Sequence, residues 1–124
     1  MKNPRLFSHL GYLLLGLVPM LGAGAVPPGL PRPIPKGNCA VCGMHVANFP
    51  DWAAVITFKD GTQAWFDGPK DLFAYQLDLK RYAPKRNSPD IASIQVKDYY
   101  GRKPIDASKA WFVLGSDVMG PMGK

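Results

Sequence analysis

The hydrophobic and polar positions change period several times along the chain, and each change marks an element. Leu10 to Leu21 is a nearly unbroken apolar run. After a proline-rich stretch, Trp52 to Phe58 and Thr62 to Asp67 are rich in β-branched and aromatic residues, separated by Lys59-Asp60-Gly61, so they predict a β-hairpin. Pro69 suits the first turn of a helix. Leu72, Phe73, Gln76, Leu77 and Leu79 place a stripe along that helix, predicted over 69–79. Residues 80–90 read as a loop closing on Asn87-Ser88-Pro89-Asp90. Ile91 to Asp98 alternates, with Ile94 and Val96 on one face, Tyr100-Gly101-Arg102 turns, and Ala110 to Leu114 predicts a fourth strand. The expected architecture is α+β, one small domain of strand-strand-helix-strand-strand order, with an irregular Gly, Met and Pro tail from Gly115. Asp98 and Asp106 flank turns where a carboxylate accepts backbone N–H bonds, which predicts structural roles for both.

The N-terminal run decides the compartment. Lys2 and Arg5 precede it and Ala23-Gly24-Ala25 follows, the pattern of a secretory signal peptide over 1–25 cleaved near Ala25. A membrane-spanning helix needs about 20 apolar residues, and Gly16 and Pro19 interrupt this shorter stretch. Residues 26–37 carry Pro27, Pro28, Pro31, Pro33 and Pro35 and read as a semi-rigid linker, leaving 38–124 as the domain. The first cysteine is Cys39, well beyond the apolar run, so no lipid anchor is expected and a periplasmic or otherwise exported protein is. Loss of Lys2 and Arg5 lowers the formal charge from +6 to about +4. Lys80, Arg81, Lys85 and Arg86 cluster, but export argues against nucleic acid. A solvated loop or a docking face for an acidic partner protein accounts for them better.

The reactive side chains are few. Once the leader is removed His45 is the single histidine, which excludes the two-histidine sites of blue copper and of facial-triad iron. No nucleophile-elbow sequence supports a hydrolase. Sulfur remains: Cys39, Cys42, Met44, Met119 and Met122, at the two ends of the domain. The short turn between Cys39 and Cys42 lets both thiols grip one ion, with Gly43 tolerating a tight backbone. Three readings compete for this pair. Structural zinc wants a second Cys or His pair, which is lacking. A thiol-disulfide pair or plain disulfide suits an oxidising compartment. Copper(I) is selected by thiolate and thioether, and Met44 beside Cys42, with Met122 in a Pro-Met-Gly turn, supplies the thioethers.

Five fragments recur in order: Cys39-x-x-Cys42-Gly43-Met44, Phe66-Asp67, Val96-x-Asp98-Tyr99, Ile105-Asp106-Ala107-x-x-Ala110-x-x-Val113 and Pro121-Met122-Gly123. In these the chain resembles the NosL-type nitrous oxide reductase accessory proteins, copper(I) chaperones serving assembly of the reductase's copper-sulfide centre. The resemblance implies an α+β fold and copper(I) held by Cys42, Met44 and Met122, with Cys39 as a fourth or alternative sulfur. It also implies a non-enzymatic carrier with two kinds of partner: a copper donor or membrane assembly machinery, and a copper-enzyme client in denitrification. Many members of that family are lipoproteins, whereas this sequence shows no lipid-attachment cysteine after its apolar run, so no such tether is expected.

Overall fold

The hairpin forms around Asp60, whose carboxylate accepts hydrogen bonds from the Thr62 backbone N–H at 3.0 Å and the Thr62 hydroxyl at 2.7 Å. Gly61 takes a φ of +83°, which a larger residue adopts only with strain. In this computed structural model, which describes Ile34 and residues 36–123, the hairpin joins β1 (Ala54–Phe58) to β2 (Gln63–Phe66). The segment predicted as a signal peptide and most of the predicted proline-rich linker lie outside the described residues. α1 (Pro69–Leu77) and α2 (Leu79–Tyr82) follow, then β3 (Ile91–Lys97) and β4 (Pro104–Asp106). The four strands make one antiparallel sheet in the order β2-β1-β3-β4. The α+β class and element order are those predicted.

β1 runs through the middle and is buried along almost its whole length. Phe66, Ile56, Leu72, Val46 and Val55 are fully buried around it, each side chain contributing about 1.5–3 kcal/mol. α1 docks through Leu72 and Tyr75, the latter 5.1 Å edge-on to Phe66, and α2 adds Leu79. Leu77, predicted on the inner stripe, is instead 85% exposed. The buried positions are spaced 72, 75 and 79, so residue 77 falls on the opposite side. The helix also stops earlier than predicted. Asp78 leaves helical geometry and caps α2 by accepting from the Arg81 N–H at 3.2 Å, so the first turn beyond 79 is helix rather than loop.

The fourth strand is Pro104–Asp106 and not Ala110–Leu114. The Asp98–Arg102 turn returns the chain directly onto β3, pairing Gln95, Val96 and Lys97 with Asp106, Ile105 and Pro104. Asp106 then accepts from the Ser108 N–H at 2.8 Å and its hydroxyl at 2.6 Å, bending the chain away in a short 3-10 turn before Ala110 is reached. Phe112 returns to α1, 4.7 Å from Phe73, while Trp111 and Leu114 are exposed. Asp98 caps its own turn through the N–H groups of Tyr100 and Gly101. Asp98→Asn and Asp106→Asn are therefore expected to lower the melting temperature by a few degrees. Metal stoichiometry of the folded variants, read by titration, should not change.

The basic cluster is partly structural. The Arg86 guanidinium pairs with Asp60 at 2.7 Å, donates to the Thr62 hydroxyl at 2.7 Å and lies 4.5 Å over the Phe58 ring. It fastens the loop after α2 to the hairpin.

Candidate metal centre

Residues 38–45 form a small loop whose ends pair through Asn38 and His45. The Cys39 N–H donates to the Met44 carbonyl at 2.7 Å, and the Gly43 N–H to the Cys39 carbonyl at 3.0 Å. Gly43 has a φ of +79°, the left-handed conformation that lets so short a loop close. The Ala40 N–H bonds the Trp65 carbonyl at 3.0 Å, which clamps the loop to the end of β2. There β2 ends at Phe66, Asp67 and Gly68 turn the chain, and α1 starts at Pro69 with Asp71 in its first turn.

This docking brings four groups together. Cys39 Sγ, Cys42 Sγ and one oxygen each from Asp67 and Asp71 all lie within 4.8 Å of one another. Cys39 Sγ donates to Asp71 Oδ2 at 3.2 Å, and Cys42 Sγ sits 3.5 Å from both Asp67 oxygens. Cys39, Asp67 and Asp71 are buried, the two carboxylates at 1% and 4% exposure, while Cys42 is exposed. The pocket is thus closed on three sides and open at one sulfur. Among the described ion pairs none involves Asp67 or Asp71, so their partners are the thiols rather than a lysine or arginine.

Both thiols are held protonated. Burial pushes Cys39 up, opposed by the backbone N–H groups of Cys42, Asp67 and Val41 that face its sulfur. Loss of solvent around the sulfur, then the Asp71 carboxylate, pushes Cys42 up to about 12, although the residue as a whole is exposed. With all four groups so close, each thiol faces both carboxylates. Backbone N–H groups aimed at sulfur favour thiolate, and carboxylates favour thiol. A cation entering among them reverses the balance by making the carboxylates an attraction instead of a repulsion.

Sequence reading identified the two cysteines but not Asp67 and Asp71 as neighbours. Asp67 was visible as part of the Phe66-Asp67 fragment. Asp71 follows four residues later across a strand-to-helix junction, a spacing that returns both side chains to one end of α1. These carboxylates also supply the second ligand pair whose absence from the Cys and His inventory counted against a four-ligand site.

Met44 lies in the same loop, partly buried, with its N–H facing the Cys42 sulfur. Met122 lies far away in sequence but in a turn closed by reciprocal bonds between Gly120 and Gly123, at 3.3 and 3.1 Å. That turn packs Gly120 on Trp52, and Pro121 lies 3.8 Å from where a side chain on Gly68 would begin. Gly68 adjoins Asp67, so the Pro-Met-Gly turn comes to the metal-centre end of α1, with Met122 46% exposed. His45 is exposed and is not one of the four clustered groups.

No curated protein and no solved structure matches the chain. A family model described as NosL matches residues 33–124, which contain every residue of this centre. The chain belongs to the NosL family.

Proposed function

We propose that this protein is an exported copper(I) carrier that holds one ion through Cys42, Met44 and Met122, with Cys39 as an additional thiolate, and passes it to a copper enzyme. Family membership supports a copper-related accessory role. The observation that carries the finer reading is the pairing of a buried thiol with an exposed one in a single pocket, Cys39 at 4% exposure and Cys42 open to solvent. An enclosed sulfur retains the ion, and an accessible one lets a partner's ligand enter before the carrier's own ligands leave. Transfer then proceeds by ligand exchange at constant oxidation state, copper(I) remaining copper(I) and each departing thiolate regaining a proton. Thioethers suit this role because each bond is weak while remaining soft.

Nitrous oxide reductase is the client that the family points to, the donor or membrane assembly machinery being the other partner, in the periplasm. The signal-peptide pattern supports that location. The rival use of the Cys39–Cys42 pair is thiol-disulfide exchange, which needs a depressed thiol pKa. Two carboxylates facing the thiols act in the opposite direction.

The test is anaerobic titration of the reduced, leaderless protein with copper(I), followed by X-ray absorption. One ion per chain in a sulfur-dominated shell is expected. A shell dominated by nitrogen and oxygen, or saturation below half an ion per chain, would remove the proposal. Met122→Ala is expected to weaken binding about 10- to 100-fold, or about 1.4–2.7 kcal/mol. Hydrogen exchange should show residues 115–123 gaining protection on copper binding in the parent and none in this variant. Normal affinity in Met122→Ala, with unchanged exchange, would confine the site to Cys39–His45.

A further inference from the structure

We infer that Trp111–Leu114 is the contact surface of a homodimer, in which this segment pairs antiparallel with the same segment of a second copy. The inference stands apart from the copper reading. Asp71 lies in the first turn of α1 and Leu77, beside the contact surface, ends that helix about 9 Å further along its axis, so the dimer leaves both metal centres open.

Unpaired backbone is the first support. Ala110–Leu114 has the aromatic and β-branched composition of a strand. Yet among the described residues no backbone partner is found for the N–H or C=O groups of Trp111, Phe112, Val113 or Leu114. An extended segment of this kind is a template for one more strand. Neither edge of its own sheet takes it. The Ala40 N–H occupies the Trp65 carbonyl on β2. β4 is three residues long, begins with a proline that has no N–H to offer, and turns away at Asp106. The 4.7 Å contact of Phe112 with Phe73 holds the segment on α1 instead.

Apolar area and charge say what covers it. With Phe112 turned toward α1, Trp111 and Val113 face outward and are 97% and 78% exposed. Leu114 is 95% exposed, and Leu77, one turn of α1 beyond Phe73, is 85% exposed. Covering these side chains removes about 350–600 Å² of apolar surface from water. At the roughly 60% non-polar share of an interface, this corresponds to about 600–1,000 Å² per partner, which spans the ~800 Å² of a stable complex. Lys109 precedes the segment and Asp117 follows it. Both are exposed, and neither belongs to an ion pair among the described residues. Antiparallel pairing brings the Lys109 end of each copy to the Asp117 end of the other, whereas parallel pairing sets like charges together. It is also the two-fold arrangement that closes on itself, so assembly stops at two copies.

Analytical ultracentrifugation of the reduced, leaderless, metal-free protein tests this. A monomer–dimer equilibrium with a dissociation constant in the micromolar range is expected. Hydrogen exchange of the unaltered protein should show the Trp111–Leu114 amides gaining protection as concentration rises. Trp111→Glu and Val113→Pro alter exposed side chains, and each should weaken the dimer at least tenfold with the circular dichroism spectrum unchanged. Tyr100→Ala, at a similarly exposed position outside the surface, should not weaken it. Lys109→Asp should weaken it about two- to fivefold, and adding Asp117→Lys should restore it. A monomer at every concentration up to the millimolar range, a dimer that survives both Trp111→Glu and Val113→Pro, or open-ended assembly without a discrete dimer would overturn the inference. Binding of the monomer to phosphatidylglycerol vesicles through Trp111 would assign the surface to a membrane and overturn it likewise.

Discussion

Cys42→Ser is expected to lower copper(I) affinity at least about 1,000-fold, roughly 4 kcal/mol, as read by competition with a chromophoric copper(I) chelator. Serine keeps the shape but offers a hard hydroxyl that does not deprotonate at neutral pH, so the variant loses a charged soft ligand outright. Cys42 is also the exposed member of the pair, beside Met44 and facing Asp67, and no other described thiol can replace it from the open side. Cys39→Ser should cost less, about 10- to 100-fold, because Cys42, Met44 and Met122 remain. Its buried position at 4% exposure makes it an anchor rather than the point of exchange. Serine there still reaches Asp71, so the fold should survive, which circular dichroism checks. Equal and mild losses in the two variants would contradict this division of labour.

The second large effect is on pH. Both thiols sit above their ordinary range, Cys42 at about 12, so each is protonated at neutral pH in the metal-free protein. A thiolate bond to copper therefore displaces a proton, and the apparent affinity rises about tenfold per pH unit for each thiol engaged. Between about pH 6 and about pH 8 the gain should be near 100-fold if Cys42 alone binds as thiolate, and near 10,000-fold if Cys39 joins it. Proton release in unbuffered titration counts the same event directly. Affinity that stays flat across this range would exclude thiolate ligation at neutral pH. The stability of the metal-free fold follows the opposite course. Because both thiols lie above the ordinary 9.0 of an unfolded cysteine, their contribution is complete below that pH and is lost as pH rises through the folded values, about 12 for Cys42. Metal-free protein should melt progressively lower above about pH 9, and Cys42→Ser should reduce that dependence.

Local chemistry made much of the fold legible in advance. The hairpin announced itself in Lys59-Asp60-Gly61 between two β-rich runs, and the turn forms there because Asp60 and Gly61 satisfy it within three residues. Pro69 marked the helix start for the same reason, since its fixed φ and missing N–H suit only the first turn. The reading failed where a long-range choice overrode a local preference. Ala110–Leu114 has strand composition, yet β3's free edge was already taken by Pro104–Asp106, the segment the Asp98 turn returned first.

Composition and spacing by themselves pointed to sulfur as the candidate chemistry. A single histidine beyond residue 9, a Cys-x-x-Cys turn and methionines at both ends of residues 38–124 favour that reading, and these are properties of a list and of short intervals. Only the tertiary structure decided that two aspartates share the cysteines' pocket. Asp71 lies 32 residues from Cys39 and Asp67 lies 25 from Cys42, and no local rule relates positions so distant. They meet because the loop at Ala40 bonds the end of β2 at Trp65, immediately before the chain turns into α1. The turn holding Met122 likewise lies beside Gly68 and Trp52, positions more than 50 residues earlier in the chain. A carboxylate's partner is whatever the fold sets against it, so the candidate sulfurs could be read from the sequence, while the two aspartates beside them required the sheet edge and helix terminus that assemble the pocket.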